Sequence, residues 1–182
     1  MDQKIVDEYV EMLGVLSDGD VAFLESYSKL NPDFPHGQDA FLGRCWLSNA
    51  ISHGSLETIQ WFLDQGVNVN YQDDEGFSPL KWAIQRENDN RLMKKTDDAS
   101  VVIGMLLRAG VDANARGTLG ETPLHVAAAW GVSEKIVQLL LDWGADPNAQ
   151  DSDYGHQTPI EIARQAGHDA IAVILKNALN SP

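Results

Sequence analysis

Two short phrases recur along this chain, and their spacing constrains the fold more than any single residue does. One is Gly66-Val67-Asn68-Val69-Asn70, repeated as Gly110-Val111-Asp112-Ala113-Asn114 and as Gly144-Ala145-Asp146-Pro147-Asn148. The other is Ser78-Pro79-Leu80-Lys81, repeated as Thr122-Pro123-Leu124-His125 and as Thr158-Pro159-Ile160-Glu161, with Cys45-Trp46-Leu47-Ser48 holding the same place one step earlier. Cys45 to Ser78 is 33 residues, Ser78 to Thr122 is 44 and Thr122 to Thr158 is 36, which is one 33-residue period with insertions of 11 and three. Self-similarity at that period predicts stacked supersecondary units. It moves the question of function from a closed pocket to a long, shallow surface.

Each phrase has a mechanical reason. Pro123 at a first helical turn loses no hydrogen bond, and Thr122 before it is a natural N-cap. Small Ala127 and Ala128 let helices approach closely, while Val137, Leu140 and Leu141 form the apolar stripe of a second helix. Gly144 can take the left-handed conformation that ends that helix, and Asp146 and Asn148 suit the turn into the next unit. Glu87 stands where a Gly is expected after a first helix. Gly117 stands where the other hairpins carry Asp.

With these positions in hand, Gly120-Glu121-Thr122-Pro123-Leu124-His125-Val126-Ala127-Ala128-Ala129-Trp130-Gly131, continuing to Leu139-Leu140-Leu141 and Gly144-Ala145-Asp146, resembles a nearly complete unit of the ankyrin-repeat family. The resemblance covers residues 37–177 and is degenerate over 1–36. It implies an all-α fold, a solenoid of stacked helix–turn–helix units with short β-hairpin fingers, about five units including degenerate caps. The expected organisation is one domain over 1–182. It comprises a capping unit at 1–36, units at 37–71, 72–115 and 116–150, and a C-terminal capping unit at 151–182. The 11-residue insertion, near 87–97, is expected to bulge as a loop between two helices. Gly19 to Leu24 can be laid over the mid-unit stretch Gly54 to Ile59, with another apolar stripe starting at Val21.

Composition narrows the partner. The formal charge is −14, with residues 1–36 at −6, 37–76 at −5, 121–182 at −5 and 77–120 at +2. Such a balance disfavours nucleic acid and anionic membrane and favours a basic protein. No apolar run reaches a membrane span, the first residues lack a signal-peptide pattern, and one cysteine permits no internal disulfide. These features predict a cytoplasmic protein, monomeric when unbound.

Catalysis finds little support. His36, His53, His125, His156 and His168 are scattered over different units, and no Cys or His pair has zinc-ligand spacing. Cys45 in the Thr slot reads as a buried small residue. Asp73-Asp74-Glu75-Gly76 lacks the later positions of a calcium loop and reads as a hairpin tip. No catalytic residue, cofactor or metal is therefore expected. His125 in the TPLH slot is expected to tie neighbouring turns together, as the resemblance implies.

The resemblance also implies a concave binding face, formed by the variable finger positions and the exposed ends of the first helices. In this chain those positions are Asp39, Phe41, Leu42, Arg44, Ser52 and His53, then Asp74, Glu75, Phe77 and Gln85. They continue with Thr118, Leu119, Glu121 and Trp130, then Asp153, Tyr154 and His156. Aromatic anchors among carboxylates fit a protein interface, although Phe41 and Phe77 can equally pack between fingers. Trp61 and Trp82 are assigned to the core, and Trp46, in the Pro slot, to a structural role. Arg86, Arg91, Lys94 and Lys95 mark the insertion as a possible specificity loop. The expected function is a non-enzymatic module binding a basic protein as an adaptor or scaffold. The alternative is an inhibitor resembling immunity proteins, which neutralise a bacterial toxin by occluding its active site. An enzyme with an unrecognised site is the third reading.

Overall fold

A computed structural model describes residues 2–93, 98–152 and 155–180. Among them the chain forms ten α-helices in five consecutive pairs. These are α1 (Gln3–Asp18) with α2 (Val21–Leu30), α3 (Trp46–His53) with α4 (Leu56–Asp64), α5 (Pro79–Met93) with α6 (Ala99–Arg108), α7 (Pro123–Trp130) with α8 (Glu134–Asp142), and α9 (Pro159–Gln165) with α10 (Asp169–Leu179). First helices pack on first helices, α1 on α3, α3 on α5, α5 on α7 and α7 on α9. The second helices form another row, α2 on α4, α4 on α6, α6 on α8 and α8 on α10. One continuous apolar core results, running from Met12 to Leu175.

The two recurring phrases do the work that their residue types predict. Thr122 and Thr158 sit at N-caps with Pro123 and Pro159 in the first turn. In the last pair Glu161 Oε2 accepts from the Thr158 amide at 2.7 Å and from its hydroxyl at 2.8 Å, holding the Glu161 carboxyl below its usual range. Gly66, Gly110 and Gly144 all have positive φ, 69°, 89° and 83°, so the Gly of this phrase supplies a left-handed residue after each second helix. The Asn ending the phrase then reaches the next unit. Asn70 Oδ1 accepts from Asp112 N at 2.8 Å and Asn114 Oδ1 from Asp146 N at 2.7 Å, while Asn114 Nδ2 donates to Gly144 O at 2.9 Å. At the degenerate beginning, Asp20 caps Phe23 N at 3.0 Å much as Ser55 caps Thr58 N at 3.3 Å, which supports the proposed overlay of those stretches.

His125 is the polar tie between the fourth and fifth pairs. Its Nδ1 accepts from Thr122 N at 3.1 Å, so Nε2 carries the proton and donates to Gln157 O at 2.9 Å. The ring is buried, and burial pushes its pKa below the ordinary value despite the opposing pull of the Gln157 carbonyl.

The fingers between pairs are tight turns with little strand character. Among the described residues the sole bridge is Gln38 with Cys45. Asp39 N donates to Arg44 O at 2.8 Å, Asp73 N to Phe77 O at 3.1 Å, Gly117 N to Glu121 O at 2.9 Å and Asp151 N to Gln157 O at 3.1 Å. Side chains join one finger to the next. Gln72 Nε2 donates to Arg116 O at 2.8 Å, and Arg116 in turn donates to Gln150 O at 2.7 Å.

The insertion departs from expectation. It does not leave the helix at Glu87; α5 continues through it to Met93, 15 residues against eight in α3 and α7. Two adjacent residues explain the extension. Arg86 forms a two-point pair with Asp98, at 2.8 and 2.6 Å, and donates to Ile51 O at 2.6 Å and Gly54 O at 3.0 Å at the end of α3. Glu87, buried, accepts from Ser133 N at 2.8 Å, the N-cap of α8. Arg86 is thus a structural clamp and not a free cation of a specificity loop. Lys94 and Lys95 lie outside the described residues, as does the side chain of Arg91.

Three outcomes follow for stability. Leu140→Ala, at a fully buried position between α8 and its neighbours, should cost about 2–5 kcal/mol in denaturant unfolding. Arg86→Ala should cost about 2–4 kcal/mol, because it removes the two-point ion pair to a largely enclosed Asp98 and the hydrogen bonds to two helix-end carbonyls. For His125 the folded pKa is the lower one. Its contribution is therefore full above the ordinary value of about 6.5 and is lost as pH falls through that value toward the depressed one. Thermal melts should show the parent chain losing more stability than His125→Gln between neutral and mildly acid pH. Parallel losses in the two proteins would refute the assignment.

Candidate functional site

Where the fingers lean over the first helices, the structure leaves an open groove of about 510 Å3. Its apolar lining comes from Leu119 on the third finger, from Val126, Ala129 and Trp130 on α7, and from Ile162 and Ala166 at α9. Lys81, Glu121, His125, Asp151, Gln157 and Gln165 supply the polar part. The helix residue after the TPLH slot faces this groove, Val126 in α7 and Ile162 in α9. Trp130 is half-buried at the end of α7, with part of its ring against the core and part open.

The structure separates the residues expected on the binding face. Leu119, Glu121 and Trp130 meet in this groove. Leu42, His53, Asp74, Glu75, Thr118 and His156 are exposed elsewhere along the fingers and helix ends, and Ser52 and Gln85 are half-buried. Asp153 and Tyr154 lie outside the described residues.

Three finger carboxylates, Asp39 and Glu121 of the expected face and Asp73 beside it, are used by the fold. Asp39 is 3% exposed, and its carboxylate accepts from Phe41 N at 3.0 Å, Leu42 N at 2.5 Å, Arg44 N at 3.1 Å and Asn49 Nδ2 at 2.9 Å. It organises the first finger and is not available to a partner. Asp73 does the same in the second, with Oδ1 accepting from Glu75 N and Phe77 N, which makes Asp73 to Gly76 a hairpin tip. In the third finger Gly117 has no carboxylate to give, and Glu121 replaces it by accepting from Leu119 N at 3.0 Å. A Cβ at position 117 would stand 2.2 Å from Glu121 Oε1, so Gly there makes room for the substitute. Glu121 is only 13% exposed and pairs with Lys81 at 2.8 Å; it lines the groove but is already engaged.

Sequence reasoning missed the middle of the face. Trp82, assigned to the core, is half-buried and belongs to a stack that crosses the fingers. The Arg44 guanidinium carbon lies 4.2 Å from the Trp82 ring, Trp82 lies 4.9 Å from Phe77, and Lys81 Nζ lies 3.9 Å from the Phe77 ring and then meets Glu121. The available signal was positional. Lys81 fills the slot that His125 fills in the next unit, and Trp82 fills the slot of groove-facing Val126. Phe41 is likewise engaged, 5.0 Å from Tyr9. The face is therefore not uniformly acidic: Asp74 and Glu75 are exposed at a finger tip, while two cations sit stacked on rings behind it.

The remaining candidates have structural positions. Cys45 is buried with Sγ 3.0 Å from Ser48 Oγ, and burial pushes its thiol pKa up, the opposite of an activated nucleophile. Trp61 is core, against Phe34 and Phe62, and Trp46 packs edge-on against Phe34. Among the described residues no group of three or more His, Cys, Asp or Glu side chains is placed to hold a metal ion. No helix among them is long and apolar enough to cross a membrane.

Comparison with known proteins agrees with the fold. A family model described as ankyrin repeats in many copies matches residues 47–92, and one described as three copies matches 92–181. Rabankyrin-5 of Mus musculus is 42% identical over 82 residues, 38% of this chain and 7% of that protein. A putative E3 ubiquitin-protein ligase, XBAT35 of Arabidopsis thaliana, is 35% identical over 121 residues, 66% of this chain and 24% of the relative. Neurogenic locus notch homolog protein 1 of Xenopus laevis is 32% identical over 146 residues, 80% of this chain and 5% of the relative. The chain thus spans less than a quarter of the length of these curated relatives. Ankyrin repeats generally mediate protein–protein interaction, and the paired helices, the left-handed glycines and the two abutting matches together place this chain in the ankyrin-repeat family.

Proposed function

We propose that this protein is a non-enzymatic binding module whose groove between fingers and first helices takes a segment of a basic protein partner, as an adaptor or scaffold. The observation that carries the reading is the groove itself. It offers an open apolar floor around Trp130, Val126 and Ile162, beside polar groups of which His125 and Gln157 are hydrogen-bonded to each other and Lys81 and Glu121 are paired. Such a floor gains from covering, and polar groups so held lose little on doing so. The exposed finger-tip pair Asp74 and Glu75, in a chain of charge −14, supplies long-range attraction for a cationic partner.

Contact and charge can be separated kinetically. Against a partner recovered by pull-down, Trp130→Ala should raise the off-rate and cost about 2 kcal/mol or more, as loss of a central anchor does. Reversing Asp74 and Glu75 to Lys should chiefly lower the on-rate. That effect should shrink as salt rises, since screening acts over about 8–10 Å at physiological ionic strength. The charge reversal should leave the melting temperature unchanged, whereas Trp130→Ala, whose ring also packs on the core, should lower it while leaving a cooperative melt that shows the chain folded. Salt-insensitive binding unaffected by either variant would place the interface elsewhere. A one-to-one complex in which a single basic partner loses its own activity would assign the inhibitor reading in place of the adaptor one.

A further inference from the structure

A second groove lies at the other end of the array, between α1, α2 and the first finger, with a volume of about 390 Å3. Its walls are aromatic. Tyr9 and Phe41 form one side, with ring centroids 5.0 Å apart and planes tilted by 38°. Phe23 and Tyr27 stack at 6.0 Å and 18° on the other, and Trp46 closes the groove beside them. Two carboxylates, Glu8 and Glu11, are exposed on the α1 edge. Lys4 reaches Glu8 at 3.5 Å in a fully solvated pair that offers weak competition, and Glu11 has no partner among the described residues.

The rings are held independently of any ligand. Tyr9 Oη donates to Asn49 Oδ1 at 3.1 Å, and Tyr27 and Trp46 both pack edge-on against buried Phe34. Held aromatic walls with carboxylates at the mouth suit one chemistry. A cation on an apolar stem can lay its stem against the rings, meet their faces with its charge and bring its donors to the carboxylates. An acidic segment would be repelled at the same edge, since residues 1–36 carry a charge of −6.

We infer that this groove is a separate binding site for an arginine or lysine side chain on a basic protein segment. It is independent of the Trp130 groove, at the opposite end of the repeats. A basic partner docking along the array would place one cationic side chain here, and the site would fix its register.

The test uses a hexa-arginine peptide as probe and a hexa-glutamate peptide as control, titrated into the full chain at low salt. Because any acidic protein attracts hexa-arginine, location decides the result. The pair Glu8→Gln/Glu11→Gln should weaken binding about tenfold, while the charge-matched pair Glu134→Gln/Asp142→Asn on α8 should weaken it less than about twofold. Phe41→Leu and, separately, Tyr27→Leu keep the apolar volume and remove a ring face; each should weaken binding about threefold or more at unchanged charge. The Trp46 indole N–H resonance should move during the titration, and Trp130→Ala should leave the titration as it is. Thermal melting of every variant establishes that it is folded, and the two ring variants serve as alternates for one another. Equal weakening by the two charge-matched pairs overturns the proposal. So does full-strength binding after both ring substitutions, an unmoved Trp46 resonance or binding of hexa-glutamate. Loss of peptide binding in Trp130→Ala would merge this site with the other groove and equally overturn it.

Discussion

No helix pair in this protein is large enough to cover its own apolar stripe, so every pair is stable only against its neighbours. That is the constraint on which the rest depends. Leu47, Leu80, Leu124 and Ile160 occupy equivalent places in successive first helices and are all buried; the first three have a neighbouring pair on both sides, and Ile160, in the last pair, has one on one side. Stacking alone would permit the pairs to slide or rotate. The polar ties remove that freedom: Asn70 and Asn114 couple the loops beneath, and His125 couples a helix start to the next finger. Burial supplies the driving force, and hydrogen bonds select the register.

What the sequence reveals follows from this division. Periodicity reports on apolar and backbone requirements, so Leu140, Ala127, Gly144 and the Thr-Pro helix starts were readable from spacing alone. Contacts between polar side chains in different units leave no period. Glu121 looked like a free carboxylate because the emptiness at Gly117, four residues before it, is meaningful only once the finger is folded. Arg86 looked like part of a basic loop because Asp98, its partner, follows 12 residues later across the insertion. Trp82, in a core slot of the repeat, does pack against the core but is only half-buried, and its ring also joins the stack of Arg44 and Phe77 across the fingers.

The groove inherits its properties from the same architecture. Its floor residues stand mainly on α7 and α9, which are fixed by the core, and among its polar residues Glu121, Lys81, His125 and Gln157 are held by hydrogen bonds or an ion pair. A binding surface so built needs little reorganisation on contact, and variation in affinity then falls mainly on the few open side chains such as Trp130. Arg44 and Lys81, stacked on rings, and the exposed Asp74 and Glu75 place both signs of charge on the face. A ligand that matches only one sign cannot satisfy them all.

Arg86 and Glu87 are consecutive, yet one grips the end of α3 and the other the start of α8. In a linear array each unit ordinarily speaks only to the next, and such arrays fray from their ends. Here a single turn of α5 fastens the units on both sides of it. The one-dimensional chain thus has a two-sided fastening at its middle. Melting that begins at either terminus meets this staple before it can run through, so the third pair with its two neighbours should behave as the last cooperative block to open, with hydrogen-exchange protection highest there.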